Sequence, residues 1–343
     1  MKVAIDSTPL TVSSGGITRY TSALFQALIE AFPQDAFHLL TDQGNPEVTG
    51  FEQLWWVYGL PKHLRKMQVD LFHGTNFSVP YLPVCTSVMT VHDLSPWMNP
   101  EWHRGSTRVR RRTPWLLRLG LATMIITDCQ AVRRAVINRF NLPEDRVIAV
   151  PLAPEAHFAP STAPPVEPYL LYVGTLEPRK NIPFLVEAWK RVYAQFPIKL
   201  ILAGRRRDDC PPFPDHPALQ QLGEVDEAAL PGLYAGALAV VYPSLYEGFG
   251  LPVLEALASG APVITSLDPA LVELTAGAAI HCNASQRDEW VEAMRLLITQ
   301  PARRLQLREQ GLLRAKQFSW RSTAVQTHAV YLEAIARHRR STS

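Results

Sequence analysis

Short runs of apolar and β-branched residues recur along this chain between longer stretches with helical spacing, and the runs stop at Gly, Asp, His, Thr or Pro. The first set is Lys2 to Ile5, Val69 to His73, Ser87 to His92, Met124 to Thr127 and Arg146 to Val150. These runs lack the polar alternation of a half-exposed strand, so helices must cover both faces of the sheet they build. Strand and helix in alternation predict a doubly wound parallel sheet. The pattern breaks between Pro151 and Pro168, where six of eighteen residues are proline (151, 154, 160, 164, 165 and 168). Proline fixes φ and lacks an N–H, so this stretch reads as a connector. Strand runs then resume at Tyr169 to Val173, Lys199 to Ala203, Leu238 to Tyr242 and Pro262 to Thr265. The expected fold class is α/β, with two Rossmann-like doubly wound domains facing across a cleft, at 1–160 and 166–321. Ligands of such sheets bind beyond the carboxyl ends of the strands, and the residues following each run are therefore the first candidates for chemistry.

Composition narrows this picture. A chain of 343 residues with 47% hydrophobic and 19% charged residues suits two folded domains and excludes disorder. Thirty-four Lys and Arg against 31 Asp and Glu leave +3, too little for a whole-surface nucleic-acid binder. No apolar run reaches the roughly 18 residues of a membrane span, and Met1-Lys2-Val3-Ala4-Ile5-Asp6 lacks a signal-peptide core, so the expectation is a cytoplasmic protein. Cys85, Cys129, Cys210 and Cys282 are scattered without a C-x-x-C, which argues against structural zinc and for reduced thiols. The chain also lacks D-x-D, H-E-x-x-H and G-x-S-x-G, disfavouring metal-dependent single-domain hexosyl transfer, zinc proteolysis and α/β-hydrolase chemistry. No metal site is expected.

Two stretches of the second domain carry the strongest chemical signal. After the strand ending at Val173, Arg179 and Lys180 sit at a helix start, with Asn181 as its candidate N-cap. Cations oppose the helix dipole there, so the pair makes electrostatic sense with a bound anion such as phosphate; two solvated surface cations are the alternative. The second stretch runs from Tyr242 to Gly260 and combines strand, glycine-bearing loop and short helix, with Pro252 suited to its first turn and Gly260 to its end. Amides of Gly248, Phe249, Gly250 and Leu251 can point at a diphosphate. Glu255 falls among apolar helix positions, so it should be buried and need donors such as ribose hydroxyls, whereas Glu247 on the loop can receive sugar hydroxyls. A helix-dipole carboxylate and an exposed loop acid are the competing readings. In the first domain, Gly15 and Gly16 precede a helix without forming G-x-G-x-x-G, and can approach a phosphate or sugar or merely form a flexible loop. His92 ends a strand, which places it toward the cleft or in a turn bonded to local backbone.

One segment is strongly basic. From Glu101 to Arg139, nine arginines (104, 108, 110, 111, 112, 118, 133, 134 and 139) face only Glu101 and Asp128, a net of +7, interleaved with Trp102, Trp115, Leu116 and Leu117. Such a segment can rest on an anionic bilayer or meet a lipid-linked pyrophosphate, or it can be a solvated helix face.

Together these residues resemble the family 4 retaining glycosyltransferases of GT-B fold, most of all bacterial mannosyltransferase-like members that build surface polysaccharides. The resemblance runs from Gly15-Gly16-Ile17 through Val91-His92-Asp93-Leu94, Gly174-Thr175-Leu176-Glu177-Pro178-Arg179-Lys180-Asn181, Leu222-Gly223-Glu224-Val225 and Pro243-Ser244 to the E-x7-E pair Glu247 and Glu255, and ends at Phe318-Ser319-Trp320. It implies that Arg179 and Lys180 hold the donor diphosphate, Gly248, Phe249 and Gly250 approach its phosphate and sugar, Glu247 orients the sugar and Glu255 binds the ribose. Gly174 belongs to the donor strand end, Val225 to the segment meeting the base, and Gly15, Gly16 and His92 to the acceptor domain beside the transferred sugar. The resemblance also implies that a last helix, about 322–343, packs back on the first domain. The expected activity is transfer of a hexose, foremost mannose from GDP-mannose, to a glycan or lipid-linked acceptor with retention of configuration and without a required metal cofactor. A UDP-sugar-dependent transferase, a nucleotide-sugar epimerase and a non-catalytic sugar-nucleotide-binding subunit are the alternatives.

Overall fold

The computed structural model describes residues 1–12, 15–42, 54–103, 105–160 and 167–342. Ser13, Ser14, Arg104, Pro164, Pro165 and the expected domain start at 166 lie outside the described residues. The chain forms two compact units, Met1–Leu152 with Ser319–Ser343, and Ala153–Phe318.

The first unit is built on a six-stranded sheet whose spatial order is β2-β1-β3-β4-β5-β6. Its strands are β1 (Lys2–Asp6), β2 (Ala36–Leu40), β3 (Leu71–Gly74), β4 (Thr86–Thr90), β5 (Met124–Thr127) and β6 (Val147–Ala149). All pairings are parallel, with Val3 opposite Leu71 and Val88 opposite Met124. The central strands are buried along their whole length, which is why they read as unbroken apolar runs. The helix Gly16–Ala31 buries Tyr20, Leu24, Ala27 and Leu28, a single stripe at helical spacing. The last helix, Trp320–Thr342, belongs to this unit. Its Thr323 hydroxyl donates to the Pro151 carbonyl at 2.7 Å, and His328 stacks on Phe32 with ring centroids 3.6 Å apart.

The second unit repeats the plan with the order β12-β11-β10-β7-β8-β9. Its strands are β7 (Tyr169–Val173), β8 (Lys199–Ala203), β9 (Leu219–Gly223), β10 (Ala239–Tyr242), β11 (Val263–Ser266) and β12 (Ile280–Cys282), again all parallel. In each sheet the chain builds outward in one direction, then crosses back past its first strand. The switch points therefore lie between β1 and β3, and between β7 and β10, where a crevice opens beyond the carboxyl ends. Close backbone approach beside β7 requires glycine: a Cβ on Gly204 would lie 2.0 Å from the Gly174 carbonyl oxygen.

Candidate active site

The loops leaving β7 and β10 flank the second unit's switch point, and they bring Arg179, Lys180 and Glu247 into one cluster. After β7 the chain makes a short 3-10 turn, Pro178–Lys180, and enters the helix Ile182–Tyr193 through Asn181 in a left-handed conformation. Asn181 stands at the N-cap position, but its side chain does not cap; its amide donates to the Ala284 carbonyl at 3.0 Å. Lys180 is 7% exposed and Glu247 6%, so neither is a solvated surface group. The Lys180 ammonium donates to Glu247 Oε1 at 2.5 Å and to the Tyr242 hydroxyl at 2.9 Å. Arg179 donates to the Tyr246 carbonyl at 2.7 Å, to Glu177 Oε1 at 2.7 Å and to Glu247 Oε2 at 3.4 Å. The anion that two cations at a helix start demand is thus supplied by the chain's own carboxylates.

Burial would raise the Glu247 carboxyl, but Lys180 and Arg179 outweigh it and hold the group below the ordinary glutamate range. Lys180 is held below the ordinary lysine range by burial and by Arg179, with Glu247 pulling the other way. Asp268 lies behind this pair, accepts the Glu247 N–H at 3.3 Å and caps the helix Pro269–Thr275. Burial, reinforced by the Glu247 charge, pushes Asp268 up to about 6. Glu177 reaches onward to Arg207, which also pairs with Asp209 at 2.6 Å.

The glycine loop precedes the helix Leu251–Ala258, with Gly250 as N-cap at φ 100° and Pro252 in the first turn. Any side chain at Gly250 would meet Leu271 Cδ2 at 2.5 Å, so both conformation and space require glycine. Gly248 and Phe249 are buried, and Leu251 is partly exposed. Glu255 is buried in the second turn of this helix, not the first, and accepts a 2.9 Å hydrogen bond from Tyr234. Gly174 follows β7 at φ 139°, and its N–H donates to the Ala203 carbonyl at 2.9 Å. Val225 follows the edge strand β9 and is partly exposed, outside the ion-pair cluster.

In the first unit, Gly15 caps the helix Gly16–Ala31 at φ 97°, and both glycines are exposed. His92 follows β4 and is 9% exposed. Its Nδ1 lies 2.8 Å from Asp128 Oδ2 and its Nε2 2.9 Å from the Thr75 carbonyl. The basic run does not form one face. Arg110 donates to the His103 carbonyl, and Arg133 to the Val147 and Glu144 carbonyls. On the helix Thr107–Arg118, however, Arg108, Arg111, Arg112 and Arg118 are exposed together with Trp115, at 61%, and the adjacent Leu119.

Sequence reasoning singled out neither Glu177, Arg207, Tyr242 and Asp268 as members of the cluster, nor Tyr234 and Asp128 as partners of Glu255 and His92. Asp268 followed by Pro269 was a readable N-cap signal; the others depend on contacts distant in sequence.

Two parallel-sheet units of this topology are the architecture of the GT-B fold. Residues 167–300 match the family model described as Glycosyl transferases group 1. The chain belongs to this family: it is 34% identical over 293 residues to O-antigen chain mannosyltransferase B of Escherichia coli, covering 78% of this chain and 75% of the relative. O-antigen chain mannosyltransferase RfbU of Salmonella typhimurium is 27% identical over 263 residues, covering 71% of this chain and 70% of its own. Among solved structures, sucrose-phosphate synthase of Thermosynechococcus elongatus superposes with a TM-score of 0.76 at 21% identity, covering 98% of this chain and all of the other. HepE of Anabaena in complex with UDP-glucose gives 0.71 at 16% identity, covering 99% of this chain and all of the other. These structural likenesses speak for the fold. The enzyme is a hexosyltransferase that uses a nucleotide-sugar donor and a glycan acceptor. No described helix is long and apolar enough to cross a membrane.

Proposed function

We propose that this enzyme transfers mannose from GDP-mannose to a hydroxyl of a growing surface glycan or lipid-linked acceptor, with retention of configuration. The names of the two relatives above support the sugar. The observation that carries the mechanism is the buried Arg179–Glu247–Lys180 arrangement at the second unit's switch point. A diphosphate entering there competes with Glu177 and Glu247 for the two cations. Glu247, released from Lys180, is then free to accept hydrogen bonds from the sugar hydroxyls. As the bond from the anomeric carbon to the diphosphate breaks, charge grows on the phosphate, where Arg179, Lys180 and the amides from Gly248 to Leu251 stabilise it. A required metal ion has no part in this reading. The acceptor oxygen forms the new bond from the same face, and its proton passes to the departing phosphate oxygen. Glu255 with Tyr234 is assigned to the ribose and Val225 to the base, while Gly15, Gly16 and His92 are assigned to the acceptor and transferred sugar.

The test is a transfer assay with GDP-mannose and with UDP-glucose, UDP-galactose and UDP-GlcNAc, in EDTA, followed by the anomeric configuration of the product. The expected result is an α-mannoside from GDP-mannose alone. Turnover with a UDP-sugar only would correct the donor. An epimerised sugar nucleotide, or donor binding without turnover, would overturn the transferase reading.

We further propose that the enzyme works peripherally at the anionic inner face of the cell membrane. The exposed Arg108, Arg111, Arg112 and Arg118 with Trp115 and Leu119 match such a surface in charge and in apolar content. Co-sedimentation with vesicles containing anionic lipid should be strong at low salt and weaker at high salt. Absence of binding at both would end this proposal.

A further inference from the structure

Both ring nitrogens of His92 face acceptors. The Thr75 carbonyl, 2.9 Å from Nε2, carries no proton, so Nε2 must donate. Asp128 Oδ2 lies 2.8 Å from Nδ1, and a hydrogen bond there requires a second proton between ring and carboxylate. His92 and Asp128 are 9% and 3% exposed, so water does not compete for either bond.

The surroundings decide where that proton rests. Tyr20, from the helix Gly16–Ala31, places its ring edge-on at 4.7 Å, and its hydroxyl pairs with Thr90 at 2.9 Å. Burial raises Tyr20 above the ordinary phenol range, so it stays neutral. His73, at the end of β3, is engaged by Tyr331 at 2.7 Å and Thr90 at 2.8 Å, and burial lowers it to about 3, so it is neutral too. Asp93, on the loop of His92 itself, is turned to Ser95, accepting from its N–H at 2.8 Å and its hydroxyl at 2.6 Å. Among the described residues, Asp128 is thus the one carboxylate hydrogen-bonded to the ring. Burial alone would lower the imidazole; the Asp128 charge and hydrogen bond outweigh it and hold His92 above the ordinary range, while burial holds the Asp128 carboxyl above the ordinary aspartate range against the pull of His92.

We propose that Asp128 is a positioning residue for glycosyl transfer, holding His92 as a two-proton imidazolium that serves the reaction as a fixed positive group and not as a base. The proposal rests on the assignment of His92 to the transferred sugar. A ring that already holds both protons cannot take the acceptor's proton, which leaves that task to the departing phosphate.

The first arm of the test reads protonation directly in the full chain. With histidine labelled in its ring nitrogens, His92 is assigned among the ten histidines as the signal missing from His92→Gln. Both nitrogens should remain protonated from pH 6 to pH 8. A ring that has lost one proton by pH 7 would overturn the proposal. The second arm is the pH profile of Asp128→Asn, whose amide can donate to Nδ1 and leave a neutral ring still bonded to Thr75. Its kcat with GDP-mannose should fall about 100-fold at pH 8, recover only below about pH 6, because without the Asp128 charge burial lowers the ring, and leave KM within a few-fold. A kcat that tracks the unmodified enzyme at every pH, or one that stays low at every pH, would reduce Asp128 to a structural role. If Asp128→Asn does not fold, the spectrum of the unmodified protein decides the protonation state alone. If the unmodified protein shows no turnover, the transferase reading fails while the spectrum still decides the imidazolium.

Discussion

The two units solve burial of polar groups at their switch points in opposite ways. In the first, the polar side chains form a wire of mostly neutral contacts, Tyr331 to His73 to Thr90 to Tyr20, with the His92–Asp128 pair beside it. Strand ends and helix faces fix these groups, and His92 and Asp128 face each other directly. In the second, Arg179, Lys180 and Arg207 are interlocked with Glu177, Glu247, Asp209 and Asp268, largely on loops. Ion pairs this buried are a poor means of stabilising a fold, since desolvation offsets most of their attraction. The comparison supports the proposal that the second cluster is arranged for exchange, its carboxylates occupying the cations until a ligand anion takes their place. The first is arranged for permanence.

The largest effect should come from Glu247→Gln. It removes the charge that competes for Lys180, so transfer should fall by about a thousandfold while GDP affinity is kept or tightened. Measured turnover and binding that fall together would contradict the exchange. Lys180→Ala takes from buried Glu247 its shortest cation contact, leaving Arg179 at 3.4 Å, and should cost about 3–5 kcal/mol in urea unfolding as well as GDP binding.

The first unit permits a test of opposite sign. Burial pushes Asp6, at the end of β1, up to about 6 from 3.8. The folded chain therefore keeps a proton that the unfolded chain releases, and stability falls as pH rises across that window. Asp6→Asn keeps the hydrogen bond from the Thr8 N–H and removes the buried charge. It should gain about 2–3 kcal/mol at pH 8, with the gain vanishing below pH 4. A gain independent of pH in thermal unfolding would contradict the assignment. Smaller still, Tyr234→Phe should cost about 1–2 kcal/mol by removing a buried hydrogen bond to Glu255. Added GDP should recover part of that loss if the ribose takes the vacated place, and recovery no larger than in the unmodified chain would speak against it.

Strands such as Leu71–Gly74 and Val263–Ser266 were visible because they are buried along their whole length. Three strands were not visible: β2, β9 and β12. All three are sheet edges, and Leu219–Gly223, with Gln220 and Gln221 exposed, shows why: one side of an edge strand has no partner, so no apolar run is required. The same distinction holds for the site. Arg179, Lys180, Glu247 and Glu255 could be found because their own segments place them at strand ends or in an apolar helix. Glu177 bridging to Arg207 thirty positions away, or Tyr234 reaching Glu255 across 21, follows from packing that no local pattern encodes. Asp128 illustrates the limit well. In the sequence it is one of two acids in a basic run, whereas in the structure its Oδ2 lies 2.8 Å from His92 Nδ1.

The central claim is that Lys180 and Arg179 exchange a protein carboxylate for the donor diphosphate. The most direct measurement is calorimetric titration of GDP, in EDTA, into the unmodified chain, Glu247→Gln and Lys180→Ala. The account predicts binding to the first two, at least as tight in Glu247→Gln, and its loss in Lys180→Ala. Equal GDP affinity in Lys180→Ala and the unmodified chain would contradict it.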